Sequence, residues 1–103
     1  MSLKGIRAGD YGQPLELTFI DEDTGEAADI SGYTTIQQVI LTPPSGSAVT
    51  KTAAFKTDGT DGIIRYIIEE GVINAGGNWE VYGRVKSGSA QLTTLKERFY
   101  VTS

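Results

Sequence analysis

Between residues 44 and 85, extended segments are cut at short intervals by residues that reverse a chain, and this constrains the fold more than any other feature. Pro44-Ser45-Gly46 precedes one segment, Thr57-Asp58-Gly59-Thr60-Asp61-Gly62 leads into Ile63-Ile64-Arg65-Tyr66-Ile67-Ile68, and Gly76-Gly77 introduces Asn78-Trp79-Glu80-Val81-Tyr82. Asp-Gly pairs tolerate the left-handed backbone of tight turns, whereas β-branched and aromatic runs suit a pleated strand. Strands with turn signals about every 8–12 residues predict a small all-β sandwich or barrel.

The rest of the chain obeys the same grammar. In residues 15–20, Leu15, Leu17 and Phe19 alternate with polar positions, and the polar residues 21–26 close the strand with a turn containing Gly25. Ahead of it, residues 6–10 read as a short edge strand and Gly12-Gln13-Pro14 as a break, because proline cannot donate to an interior ladder. Residues 33–42, with Thr34, Thr35, Ile36, Val39 and Ile40, predict a central strand that Pro43-Pro44 ends. Residues 48–55 return as a more polar edge strand, and residues 69–77 are too short and glycine-rich for more than one helical turn. The cleanest alternation puts Trp79, Val81, Gly83 and Val85 on one face and Glu80, Tyr82, Arg84 and Lys86 on the other. In residues 91–102, placing Leu92, Thr94, Phe99 and Val101 inward requires a bulge near Lys96-Glu97 to change parity. The expectation is about seven strands in one immunoglobulin-like antiparallel β-sandwich domain covering residues 1–103.

Composition narrows the chemistry. Cysteine is absent, which removes disulfides, thiolate metal sites and a cysteine nucleophile, and histidine is absent too, which removes the commonest general base near neutral pH. A net charge of −4, from 9 Lys and Arg against 13 Asp and Glu, opposes binding to a phosphate backbone. No run approaches the roughly 18 apolar residues of a membrane-spanning helix, and residues 1–5 open no hydrophobic signal region. Nucleic acid and membrane insertion are therefore not expected.

Carboxylates gather in three places, and each has a backbone explanation. Counting a calcium-loop pattern from Asp21 puts Gly25, Glu26 and Gly32 at its fifth, sixth and twelfth positions, where a ligand, a glycine and a glutamate belong. Asp58-Gly59 and Asp61-Gly62 read as chain reversals. Adjacent residues on an extended segment point to opposite faces, so Glu69-Glu70 cannot act as a carboxylate pair across one bond. Serines and threonines lack an activating partner, and no metal site, cofactor or enzymatic activity is expected. Trp79 belongs to the core by its alternation, whereas Tyr82 and Arg84, on the opposite face, form the candidate interaction surface, since tyrosine and arginine are enriched in interface hot spots.

The order of the turns carries a resemblance. Gly9-Asp10 ahead of Pro14-Leu15, Leu17-Thr18-Phe19, Asp29-Ile30-Ser31-Gly32-Tyr33, Pro44-Ser45-Gly46, the run from Thr57 to Ile63, and Gly77-Asn78-Trp79-Glu80-Val81 together resemble the immunoglobulin-like domains of phage tail and baseplate proteins, most closely the amino-terminal domain of baseplate upper proteins. That resemblance implies a noncatalytic structural component of a phage or prophage tail, made in the bacterial host cytoplasm and located in the virion. Its implied partners are other tail or baseplate proteins, with a homo-oligomer as a further expectation. Such domains have no catalytic or cofactor residues to carry over. The alternative expectation is a carbohydrate-binding or adhesin-type module of a bacterial surface protein, using exposed aromatic rings.

Overall fold

The alternating and β-branched segments pair into two antiparallel sheets in a computed structural model that describes residues 5–103. The strands are β1 (Pro14–Thr18), β2 (Ile36–Thr42), β3 (Val49–Thr52), β4 (Ala54–Phe55), β5 (Ile63–Ile67), β6 (Gly77–Lys86), β7 (Gln91–Thr93) and β8 (Glu97–Val101). One sheet has the order β1-β5-β4; the other runs β3-β2-β6, and both β7 and β8 pair with β6. Sheets of this composition match the B-E-D and C′-C-F-G halves of an immunoglobulin-like sandwich, with β7 and β8 sharing the last position.

Strand count differs from expectation at three places, each with a physical reason. Residues 6–10 form a single parallel bridge, Arg7 to Thr102, instead of an edge strand, because a turn closed by the Asp10 N–H on the Arg7 carbonyl at 3.0 Å bends the chain away. Residues 48–55 divide into β3 and β4 at buried Ala53, where the chain leaves one sheet for the other and closes that flank of the sandwich. Residues 91–102 divide into β7 and β8 around the bulge. Pro14 is also no break but the first residue of β1. Phe19 N–H donates to the Gly62 carbonyl and Ile68 N–H to the Gln13 carbonyl, so odd-numbered residues of this strand bond β5 and Pro14 faces the open edge, where a missing N–H costs nothing. β2 starts at Ile36 because Tyr33 N–H closes a turn on the Ile30 carbonyl and the Gln37 side chain takes the Tyr33 carbonyl.

The core lies between the sheets. Leu15, Leu17 and Phe19 meet Val39, Leu41, Trp79, Val81 and Val85, all buried as their alternation requires. Trp79 is 1% exposed, stacks on Phe99 with ring centroids 6.1 Å apart, and donates its indole N–H to the Ala75 carbonyl at 2.9 Å. Antibody domains pin the corresponding strands with a disulfide. Here Gly83 of β6 lets the sheets close: a Cβ there would lie 3.0 Å from Ile64 Cδ1 and 3.3 Å from Leu17 Cδ1. Residues 69–72 make a turn, closed by Val72 N–H on the Glu69 carbonyl, and among the described residues there is no helix.

Candidate interaction surface

The surface that carries Tyr82 and Arg84 is the outer face of the five-stranded sheet. Because β6 buries its odd-numbered side chains from Trp79 to Val85, its even-numbered ones point outward, and their cross-strand partners share that side. Ile40, Gln38 and Thr42 of β2 stand beside Tyr82, Arg84 and Glu80, with Thr50 and Thr52 of β3 beyond Ile40 and Gln38. On the other flank, Thr93 pairs with Arg84 and Arg98 with Glu80. Among the described residues no other strand lies over this face, yet Ile40 is only 4% exposed.

A bulge completes the arrangement. Along β7, Thr93 opposes Arg84, and along β8, Glu97 opposes Val81, so the three residues Thr94, Leu95 and Lys96 face the two residues Gly83 and Tyr82. Thr94 holds the start of the bulge from both sides: its N–H donates to the Gly83 carbonyl at 2.9 Å and its Oγ1 accepts the Gly83 N–H at 2.8 Å. The extra residue changes the parity of the returning strand, so Phe99 and Val101 reach the core. It also brings Lys96 over Tyr82. Two cations thus approach the Tyr82 ring, with the Arg84 guanidinium carbon 5.8 Å and the Lys96 Nζ 5.9 Å from its centroid. Contacts of this type are worth about 0.5–1 kcal/mol each at exposed sites.

The sequence placed Tyr82 and Arg84 together on this face, and the structure agrees. It did not bring in Lys96 or Ile40. Lys96 was accessible to reasoning only through the bulge, whose position decides which way residues 95–98 point. Ile40 shares β2 with Val39 and Leu41, and three apolar residues in a row hide which one faces outward. Leu92, expected inward, does share the side of Val85, but it remains 36% exposed on an edge strand that the three-stranded sheet does not cover. Beside it a cleft of about 510 Å³ opens between the sheets, walled by Leu17, Phe19, Ile20, Leu92 and Leu95.

Charge is distributed unevenly. Arg84, Lys86, Lys96 and Arg98 lie on or at the rim of the five-stranded outer face, while Glu80 is its one carboxylate. None of these four bases enters an ion pair among the described residues. On the three-stranded sheet, by contrast, Glu16 is answered by Arg65 at 2.8 Å and Lys56 at 3.6 Å.

Two of the three acidic segments lie at one end, on loops 21–29 and 57–62, while Glu69-Glu70 follows the far end of β5. The two loops are fastened together: Ile30 N–H donates to the Gly59 carbonyl at 2.9 Å, and a Cβ on Gly62 would lie 2.6 Å from the Ala28 carbonyl oxygen. Both Asp-Gly pairs are turns, with φ of +91° at Gly59 and +74° at Gly62. Asp58 accepts from the Thr60 hydroxyl and N–H, and Asp29 from the Ser31 hydroxyl and N–H, and in each case those bonds hold the carboxyl below its usual range. Among the described residues no group of three or more carboxylates is placed to hold a metal ion.

No protein-family model matches the chain, and no curated protein matches its sequence. The architecture itself is shown by the strand order: an all-β, immunoglobulin-like sandwich of two antiparallel sheets.

Proposed function

We propose that this chain is a noncatalytic structural module of a phage or prophage tail or baseplate, and that it works by docking onto other virion proteins through the outer face of its five-stranded sheet. The observation that carries this reading is Tyr82 in contact with both Arg84 and Lys96 on a sheet face that, among the described residues, no other strand covers. An aromatic ring already ordered by two cations loses little conformational freedom on binding, and tyrosine and arginine are the side chains that most often dominate interfaces. The order of turns that resembles the phage domains supplies the context. A sugar-stacking role is less well supported, because Trp79 offers no ring to solvent.

Co-expression with candidate phage tail and baseplate proteins, followed by affinity capture and cross-linking mass spectrometry, tests the proposal. A stable complex that Tyr82→Ala with Arg84→Ala weakens by roughly thirtyfold or more supports it. Failure to find the chain in purified particles, together with no capture of any tail subunit, overturns it.

A further inference from the structure

We propose that the basic outer face of the five-stranded sheet binds the acidic loop end of a second copy of this chain, so that copies associate head to tail. The inference extends the assembly reading above by naming one partner and the surface it uses. Its basis is the division of charge. Of the 13 carboxylates in the chain, Glu80 alone stands on the outer face, whereas Asp21, Glu22, Asp23 and Glu26 share one loop and Asp58 and Asp61 the other. Four of the 9 basic residues stand on or beside that face.

Within one copy these groups do not satisfy one another, since no ion pair joins the loop carboxylates to Arg84, Lys86, Lys96 or Arg98. Two copies of net charge −4 repel when taken as uniform spheres. Oriented with face against loops they attract, because contacts within a Debye length of about 8 Å at physiological ionic strength outweigh the more distant like charges. The surfaces are prepared for this. The loops are tied to each other through Ile30 and Gly59, and the sheet presents the half-buried Tyr82 ring on its central strand β6.

The geometry follows from the use of two different patches. A two-fold dimer would need both contacts at once, the face of each copy on the loops of the other, and would stop at two; in the head-to-tail arrangement a single face-to-loop contact leaves one free face and one free loop end on every pair. Association therefore continues, and it closes into a ring or extends as a filament according to the rotation between neighbours.

Sedimentation velocity on the full chain at low and at high salt tests this with two charge-reversal variants. Lys96→Glu with Arg98→Glu makes the face acidic, and Asp21→Lys, Glu22→Lys and Asp23→Lys make a loop basic; all five positions are exposed, and circular dichroism checks that both variants fold. The wild type is expected to gain mass with concentration at low salt and to return to monomer at high salt. Each variant alone should associate on the order of tenfold more weakly, and an equimolar mixture should regain association because the reversed face of one meets the reversed loop of the other while the two unreversed patches also meet. A wild type that stays monomeric at low salt, a face variant that associates as tightly as the wild type, or a mixture that stays monomeric overturns the proposal. If that monomer still captures tail subunits, the assembly reading stands without this inference. Head-to-tail association with no tail subunit captured gives the reverse result.

Discussion

Thr94 grips Gly83 twice, accepting its N–H on Oγ1 at 2.8 Å and donating its own N–H to the Gly83 carbonyl at 2.9 Å. This double bond fixes where the register of the returning strand changes, and the change decides that Lys96 stands over Tyr82 while Phe99 enters the core. Core packing and surface chemistry therefore depend on one hydroxyl. Thr94→Val keeps the shape but leaves the Gly83 N–H without its acceptor, and should destabilise the domain by about 1–3 kcal/mol. Thr94→Ser should recover most of the loss. Urea unfolding followed by the fluorescence of Trp79, the chain's one tryptophan, measures both.

Trp79 and Phe99 test the core directly. Trp79→Ala should cost about 3–5 kcal/mol through the cavity it leaves. Trp79→Phe should cost less, since most of the ring volume stays and the chief losses are part of the stack and the bond to the Ala75 carbonyl. Thermal unfolding by circular dichroism separates the two; equal losses would argue that the ring does not fill the space between Ala75 and Phe99.

Gly62 should tolerate no side chain. Its φ of +74° already disfavours an L residue, and a Cβ would stand 2.6 Å from a backbone oxygen that cannot rotate aside. Gly62→Ala is expected to destabilise by more than about 1 kcal/mol. Gly88→Ala, where a Cβ would meet nothing within 4 Å, should stay within about 0.5 kcal/mol of wild type. A denaturation midpoint measured for each variant checks the contrast.

Alkaline pH should weaken the domain through Tyr66. Burial, and then the bond its hydroxyl donates to Glu69 Oε1 at 2.9 Å, push this phenol from its ordinary value of 10.0 up to about 12. A group whose pKa is raised on folding stabilises fully below its unfolded value, and that contribution is lost as pH rises through the folded one. Stability should accordingly fall between about pH 10 and 12. Tyr66→Phe should flatten that fall relative to wild type, as shown by denaturation midpoints taken across the alkaline range.

The sheet content was legible because its signals are local. Leu15, Leu17 and Phe19, and Trp79 through Val85, declare their faces by simple alternation, and each Asp-Gly pair carries its turn within two residues. What escaped was set by distant partners. Ala53 gives no sign that the chain changes sheets there, since neither neighbouring pair of residues differs in kind from the rest of the strand. Arg7 meets Thr102 only because both ends of the fold arrive at the same place. The candidate surface was half legible for the same reason: Tyr82 and Arg84 lie on one strand, whereas Lys96 reaches Tyr82 from across a bulge whose offset depends on Thr94 meeting Gly83.

The crossing at Ala53 binds the sandwich like the spine of a book. On that side the edge strands β3 and β4 run into each other, whereas on the other only residues 6–13 cross between the sheets, from the bridge at Thr102 to the start of β1, and β1 and β7 keep free strand edges. Thermal breathing should begin at this fore-edge. The amides of Glu16 and Thr18, which the β1 register turns away from β5, should exchange with solvent far sooner than those of β6, which is paired on both sides.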